Sequence, residues 1–387
     1  MNILYPQNKS GRENSLPWSI ELVLFPINMT PIGAIADQIC KPVPTLNYAL
    51  EDRMALKNTF RICVAAAVIW ATGAQAETVL RFGHPNVAGE VSSKLYDEFV
   101  ERIAERTDGE IKIQVFPGEQ LGKETDMVQQ LRDGVLDITA ASMAAASTLV
   151  PAMEIPSTPF LWSNWFEAEA VISGAAMQPA FDELEETHNI IPLTKIWYWG
   201  WRNFTLSEKG VRTPDDMKGL KIRVPESPVW VEMIRGIGAA PTPIPFSDVY
   251  TALQQGTVDG QENPIPTIYA RKFYEVQKYI VLSRHMLQNN LILMNKHSFA
   301  ALEPRHQRII LEEVGAASAK MTLLQQRAEE DMLKEIVATG KVTVIDDPDR
   351  AAFAEKSTEA VFTALSERWG EENISRVRTT IKSIREQ

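Results

Sequence analysis

Arg223 and the polar run that ends at Pro264 carry the groups best suited to binding an anion. Arg223 stands between Ile222 and Val224 in an apolar, strand-like segment, which directs its guanidinium away from both neighbours. An arginine offers a planar fork that matches a carboxylate with two parallel hydrogen bonds. Residues 259–264 form a predicted polar turn at the mouth of the same βαβ-like unit, where open α/β sheets place ligands. The pattern predicts a cleft for a small anion, with a structural ion pair as the alternative for Arg223.

Three further side chains belong to this prediction. Arg202 follows the aromatic segment 197–201 and supplies a second guanidinium near a strand. Asn263 can donate and accept hydrogen bonds at once, and Phe246 opens an amphipathic helix from which its ring could cover a ligand. Ordinary alternatives stay open: a structural salt bridge for Arg202, a turn role for Asn263 and core packing for Phe246.

Two successive α/β units must position these side chains. In the first unit, strand patterns at 78–84, 111–117 and 137–142 alternate with two helical patterns, which predicts a βαβαβ arrangement and a parallel sheet. The second unit begins at a capped turn, 213–216, and we expect the units to join near 199–201.

The rest of the chain gives a mixed pattern of helices and extended segments. A helix of unusual length is predicted at 303–340, because Pro304 suits its first turn and Gly340 its end. The other predicted segments are a loop with apolar anchors at 151–165, a helix at 168–174, a strand at 190–200, a helix at 269–279, an extended run at 280–294, a strand at 342–345, and helices at 351–369 and 372–383.

No sequence motif indicates an enzyme. Gly118–Thr125 resembles a phosphate loop but is one residue short between its glycines. Gly236 and Gly238 follow a helical pattern, so they do not form a dinucleotide fingerprint. The five histidines show no metal-ligand spacing. We therefore predict no catalytic residues, no cofactor and no metal.

Composition narrows the function classes. The 387 residues are 45% hydrophobic and 23% charged, which is ordinary for a globular protein. The net charge of −11 argues against a nucleic-acid partner, because no basic surface balances it.

Residues 54–76 have the organisation of a secretory signal peptide. Lys57 and Arg61 form a positive region, 62–71 form a short apolar core, and an A-x-A site ends at Ala76. The apolar run is too short to span a bilayer, and a buried core helix is the alternative. We predict export to the periplasm.

The 53 residues before this signal are Pro-rich and show no sustained periodicity. We interpret 1–53 as a non-native or unstructured extension and expect translation to start at Met54. Both cysteines, Cys40 and Cys63, precede the predicted cleavage site. The mature chain would then contain neither a disulfide nor a thiol nucleophile.

Long motifs in the mature chain resemble those of the solute-binding proteins of tripartite ATP-independent periplasmic (TRAP) transporters. The resemblance covers essentially all of 77–387. The matching motifs are FGH (82–84), QLG (120–122), LRDGVLD (131–137), KGLKIRVP (218–225), PTPIPFSDVYTALQQG (241–256), VDGQENP (258–264) and KFYEVQKY (272–279).

The resemblance implies a fold and a domain division. The fold would be the α/β, two-domain periplasmic binding protein fold, with a ligand cleft between domains, hinge strands and a long helix spanning both domains. Domain I would comprise 77–199 plus 289–328, and domain II 200–288 plus 329–387.

The resemblance also implies roles for individual residues. Arg223 would clamp the ligand carboxylate, Asn263 would contact the same group, and Phe246 would cover the ligand. Arg202 would assist Arg223, and Glu226 follows the motif at a position that often touches the ligand.

First-domain contacts in this family vary with the substrate. Ser142, His84 and Glu124 are our candidates for reading the rest of the ligand. Ser142 stands where members specific for sialic acid carry a carboxylate, and Pro85 falls where they carry asparagine. Both differences argue against sialic acid.

The predicted function is that of a monomeric periplasmic receptor for a small organic acid, such as a sugar acid or a C4-dicarboxylate. It would close about a hinge and deliver its ligand to the small and large membrane subunits of a TRAP permease. The alternatives are a periplasmic α/β enzyme that acts on a carboxylate and a binding protein that serves a sensor kinase.

The export prediction can be tested directly. We expect the secreted protein to begin at Glu77, because the A-x-A site places cleavage between Ala76 and Glu77. N-terminal sequencing of the periplasmic form checks this. A mature chain that began before Met54 would contradict both the start and the cleavage site.

Overall fold

The structure, a computed structural model, describes residues 77–386. The predicted extension, the predicted signal peptide and both cysteines lie outside the described residues. Within residues 77–386, nine strands form one mixed sheet, in the order β2-β1-β3-β8-β4-β7-β5-β6, with β9 paired to β8. The strands are β1 (Thr78–Gly83), β2 (Ile111–Phe116), β3 (Ile138–Ser142), β4 (Ile190–Leu206), β5 (Lys221–Val224), β6 (Ala240–Pro243), β7 (Gly260–Pro264), β8 (Tyr279–Asn295) and β9 (Thr343–Ile345).

Helices cover the sheet. The α-helices are α1 (Val91–Arg106), α2 (Glu124–Arg132), α3 (Met143–Ala146), α4 (Trp165–Ser173), α5 (Gln178–His188), α6 (Pro228–Gly236), α7 (Val249–Gln254), α8 (Ile265–Ala270), α9 (Lys296–Ala300), α10 (Pro304–Ala338), α11 (Arg350–Trp369) and α12 (Glu371–Arg385). Short 3-10 helices occupy Pro151–Ser157, Pro214–Met217, Phe246–Asp248 and Phe273–Glu275. Within 77–386, none of the helices has the length and apolar character needed to cross a membrane.

Two parallel α/β units flank a central antiparallel pair. In the first unit β1 pairs in parallel with β2 and β3, which confirms the predicted βαβαβ arrangement. In the second unit β5 pairs in parallel with β6 and β7. The 17-residue strands β4 and β8 run antiparallel between them. Their register shifts between Tyr198 and Gly200 and again between Arg202 and Phe204, and such bulges bend a strand.

The long helix α10 packs on both parts of the sheet. Val314 and Met321 join the apolar cluster of the first unit, which includes Phe82 and Trp197. Farther along the same helix, Ile336 joins a cluster of the second unit. Its limits match the prediction, with proline in the first turn and glycine after the end. The described residues belong to one compact unit, so the domain boundaries stay predictions.

The polar run before Pro264 was predicted as a turn and is instead the buried strand β7. This strand lies between β4 and β5. Composition misled the prediction, because each polar side chain of the strand finds a partner inside the sheet. Gln261 donates to Thr205 at 3.0 Å, and Asn263 donates to Gln261 at 2.6 Å. A polar strand is stable when every group is hydrogen-bonded.

Other boundaries also differ from the prediction. The predicted helix at 269–279 is replaced by α8 and a 3-10 turn, because Pro266 fits the first turn of a helix that begins four residues earlier. The predicted loop at 151–165 contains the buried 3-10 helix Pro151–Ser157. The strand predicted at 190–200 continues to Leu206, and α5 was not predicted.

At Gly200, the long helix α10 contacts strand β4. Glu329 of α10 accepts hydrogen bonds from the Tyr198 hydroxyl at 3.0 Å and from the Trp201 amide at 3.2 Å. Gly200 has φ +120°, and a Cβ built there would collide with Oε1 of Glu329. Glycine therefore permits both the backbone conformation and the close approach of the carboxyl.

We expect Gly200→Ala to destabilise the protein more than Gly219→Ala. Gly219 also has positive φ, but nothing lies within 4 Å of a Cβ built there, so it reports only the conformational cost of about 1–2 kcal/mol. An added Cβ would push the Glu329 carboxyl aside, and loss of its hydrogen bonds to Tyr198 and Trp201 should add roughly 1–3 kcal/mol. Urea unfolding of the two variants measures the difference, and equal losses would contradict the contact.

Candidate functional site

A cleft lies where the two α/β units face each other, and its volume of about 440 Å³ includes space that is open to solvent. Six of the eight predicted site residues line it. The lining residues are Pro85, Glu124, Ser142, Ala144, Trp199, Arg202, Arg223, Pro225, Trp230, Phe246, Asn263, Gln288 and Asn290.

Arg223 brings a buried positive charge to the cleft. Its Nε and Nη2 donate to the carbonyl oxygen of Ile244 at 2.9 and 2.6 Å. Among residues 77–386 it has no carboxylate partner and no hydrogen bond from Nη1. Burial, followed by the nearby charge of Arg202, lowers the pKa of Arg223 to about 9, so the guanidinium remains charged at neutral pH. A buried cation without an anion is costly, and a bound anion would remove that cost.

Arg202 is neutralised within the protein. Its Nη2 donates to the carboxylate of Glu262 at 2.6 Å, its Nε donates to the same carboxylate, and its Nη1 donates to Gln288. His285 stands 3.1 Å from Glu262. Burial tends to raise the pKa of Glu262, but Arg202 and His285 hold it below its ordinary value. The salt-bridge alternative for Arg202 is therefore the one that the structure contains.

Phe246 connects the cleft to a second cationic contact. The guanidinium of Arg271 lies 3.6 Å from the ring centroid, and that of Arg223 lies 5.6 Å from it. Arg271 also pairs with Glu90 at 2.8 Å and donates to the carbonyl of Pro85 at 2.7 Å. Phe246 is thus fixed by charge contacts as well as by packing.

Glu124 and Ser142 form one polar group from the first α/β unit. The backbone amide and the hydroxyl of Ser142 donate to the two carboxylate oxygens of Glu124 at 2.5 and 3.0 Å. Burial raises the pKa of Glu124 to about 7, because it outweighs the hydrogen bonds from Ser142. The cleft therefore contains a carboxyl that titrates near neutral pH.

Two predicted residues do not line the cleft. His84 is fully buried, with its ring centroid 4.7 Å from that of Tyr96 and 5.3 Å from that of Phe82. Burial lowers its pKa to about 4. Glu226 is exposed and pairs with Lys123 at 2.9 Å. In this arrangement His84 packs in the core and Glu226 bridges the two units at the surface.

Sequence reasoning missed several lining residues. Trp230 lies on α6, while Gln288 and Asn290 lie on β8, where Gln288 donates to Asn290 at 2.8 Å. The place of Gln288 and Asn290 in the cleft depends on the pairing of β8 with β4, which no local sequence pattern reveals. Trp199 belongs to the aromatic segment 197–201 that precedes Arg202. In the described part of the chain, no three or more His, Cys, Asp or Glu side chains are grouped to hold a metal.

A cleft between two α/β units joined by long antiparallel strands, with a long helix across both, defines the two-domain fold of periplasmic solute receptors. Residues 82–367 match the family described as "Bacterial extracellular solute-binding protein, family 7". The chain belongs to this family, and its resemblance to TRAP solute-binding proteins is confirmed. The family consists of receptors rather than enzymes, so the enzyme alternative is dropped.

Individual relatives cover nearly the same part of the chain. The 2,3-diketo-L-gulonate-binding periplasmic protein YiaO of Escherichia coli is 33% identical over 302 residues, which are 77% of this chain and 90% of that protein. A TRAP periplasmic solute binding protein from Sulfitobacter sp. NAS-14.1, solved with bound β-D-galacturonate, has a TM-score of 0.74 and 29% identity and covers 79% of this chain and 100% of its own. The sugar acid binding protein DctPAm from Advenella mimigardefordensis, solved with galactonate, has a TM-score of 0.75 and 28% identity and covers 80% of this chain and 99% of its own.

We expect Arg202→Leu to destabilise the protein by about 3–5 kcal/mol at neutral pH, because Glu262 would be left as a buried, unpaired charge. In the wild type the pKa of Glu262 is lowered by folding. This lowering stabilises the folded protein at any pH above the ordinary pKa of a glutamate, and the stabilisation is lost as the pH falls through the lowered pKa. Without Arg202 the pKa of Glu262 should rise instead. The gap between the two proteins should therefore shrink on acidification, which urea unfolding as a function of pH measures. A gap that did not depend on pH would contradict this assignment.

Proposed function

We propose that the protein is a periplasmic receptor for a small organic acid anion and that Arg223 binds the ligand carboxylate. The observation that carries this proposal is the buried guanidinium of Arg223, which has no carboxylate partner among residues 77–386. It lines a cleft in which the other arginine is already paired. Ligands of this charge are consistent with the names of the relatives, which bind a diketo sugar acid, galacturonate and galactonate.

The neighbouring side chains complement a bound acid. Asn263 donates one of its two amide N–H groups to Gln261, which leaves the second N–H for a ligand carboxylate, and the ring of Phe246 adjoins Arg223. Ser142 and Glu124 supply hydrogen-bonding groups from the other α/β unit. We assign Asn263 to the carboxylate, Phe246 to covering the ligand, and Ser142 with Glu124 to the ligand's far end. Glu226 and His84 act indirectly, through the surface bridge to Lys123 and through the core.

Ligand binding would work by hinge closure between domain I (77–199 plus 289–328) and domain II (200–288 plus 329–387). A ligand stabilises the closed state only as far as it contacts both domains. Arg223 and Glu124 belong to different predicted domains, so an acid that touches both favours closure. The receptor would act as a monomer after removal of its signal peptide and deliver the acid to the small and large subunits of a TRAP permease.

Replacement of Arg223 tests the proposal. We expect Arg223→Ala to weaken binding of the best acid by about 2–5 kcal/mol, since a buried charge pair is broken, which corresponds to roughly 30- to 5,000-fold in Kd. Arg223→Lys should also weaken binding, because the fork is lost. A thermal-shift screen of sugar acids and dicarboxylates identifies the acid, and titration calorimetry gives the affinities.

Arg235→Ala is the matched control, because Arg235 is exposed on α6 and pairs only with the neighbouring Glu232 among described residues. It should bind like the wild type. Near-wild-type affinity of Arg223→Ala would contradict the assignment of Arg223, and ligand turnover in place of binding would contradict the receptor.

A further inference from the structure

Among the charged side chains that line the cleft, one cation is available to pair with an anion. Glu124, Arg202 and Arg223 are the charged residues that line it. Arg202 is neutralised by Glu262, and its three nitrogens all donate to protein acceptors. Arg223 alone among the described lining residues is a cation without an anionic partner. One carboxylate on Arg223 gives this guanidinium its anionic partner, and it balances the charges of the site while Glu124 is protonated.

The other lining residues offer no positive charge to a second carboxylate. Within the described part of the chain they are amides, a hydroxyl, aromatic rings, prolines and an alanine. A second carboxylate would lose its water of hydration without gaining a cation, which is strongly unfavourable in a buried site. Gln288 and Asn290 can pair with hydroxyl groups, which cost far less to bury.

Glu124 strengthens this bias. Each of its oxygens accepts one hydrogen bond from Ser142, and a carboxylate oxygen has a further lone pair for a ligand hydroxyl. The other titratable groups near it are Glu119, which precedes its helix, Arg223 on β5 and Tyr96 on α1. When Glu124 is ionised, it repels a second carboxylate. When it is protonated, it can donate a hydrogen bond to one.

We propose that the cleft selects a hydroxylated acid with a single carboxylate and that Glu124 is the residue that rejects a second one. This inference rests on the proposed function, because it requires the first carboxylate on Arg223. A hydroxyl at the ligand's far end then donates to Glu124. Rejection of a diacid becomes stronger as the pH rises through the titration of Glu124, which lies near neutral pH.

Two matched pairs of acids test this by titration calorimetry: galactonate against galactarate, and gluconate against glucarate. The two acids of a pair differ only at the carbon farthest from the shared carboxylate, which is a hydroxymethyl group in the monoacid and a second carboxylate in the diacid. At a pH of about 8.5, where Glu124 is ionised, we expect the wild type to prefer the monoacid by at least about 100-fold, since like charges in a buried site cost several kcal/mol. The preference should decrease at a pH of about 6.

Glu124→Gln keeps an acceptor for Ser142 but removes the charge. We expect it to lower the monoacid preference by at least about 10-fold at high pH, since a repulsive interaction is removed, and to abolish the pH dependence of the preference. Asp133→Asn is the matched control, because Asp133 is exposed beside the far end of the same helix and pairs with Arg132. It should change neither quantity.

The outcomes separate the inference from the proposed function. Diacids that bind the wild type as tightly as monoacids would overturn the inference and leave the receptor for organic acids intact. A preference that Glu124→Gln leaves unchanged would remove Glu124 as the selective residue. Absence of binding by every acid in both pairs and in the wider screen would overturn the proposed function and the inference together.

Discussion

The buried ion pair between Arg202 and Glu262 is the interaction on which the centre of the structure depends. The two side chains belong to adjacent strands, β4 and β7, and the exposed fraction of each is 2% or less. Charges so deeply buried persist only with good geometry and further hydrogen bonds. Gln288 and His285 of β8 supply those bonds. The pair therefore fixes three strands against one another at the level of the cleft.

This constraint explains how the neighbouring site can hold an unpaired charge. Glu262 is committed to Arg202, so Arg223 has no internal carboxylate to meet within 77–386. Arg202 in turn repels Arg223 and helps to lower its pKa. The protein thus tolerates an unfavourable charge beside a stable network, and under the proposed function the ligand carboxylate would pair with that charge. An unpaired buried charge of this kind lowers the stability of the free protein. Pairing it with an anionic ligand would make the free energy of binding more favourable.

Much of the fold could be predicted from sequence, because its local patterns agree with its tertiary structure. The alternation around Arg223, the limits of α10 and the βαβαβ order all correspond to elements of the structure. The strand β7 could not be predicted, because Gln261 and Glu262 are stable in a sheet only through partners on β4 and β8. The cleft residues Gln288 and Asn290 were missed for the same reason, because their place beside Arg202 depends on the pairing of β8 with β4. The burial of His84 could not be predicted either, because the pattern of a single strand does not show whether the residue after its last position faces the core or the cleft.

The continuous sheet limits the way in which such a protein can close. Because β4 and β8 run through both units, the proposed closure would have to bend these strands and could not separate them. The register shifts beside Gly200 and Arg202 weaken the ladder at the level of the cleft, while Glu329 binds the backbone of β4 from the long helix. Arg202 lines the cleft beside Arg223 and also lies on β4, between the register shifts. Under the proposed function, a ligand carboxylate on Arg223 would change the electrostatics of Arg202 and so act directly on the strand that closure would bend. Such coupling would need no distant pathway, because binding and bending would act on one network.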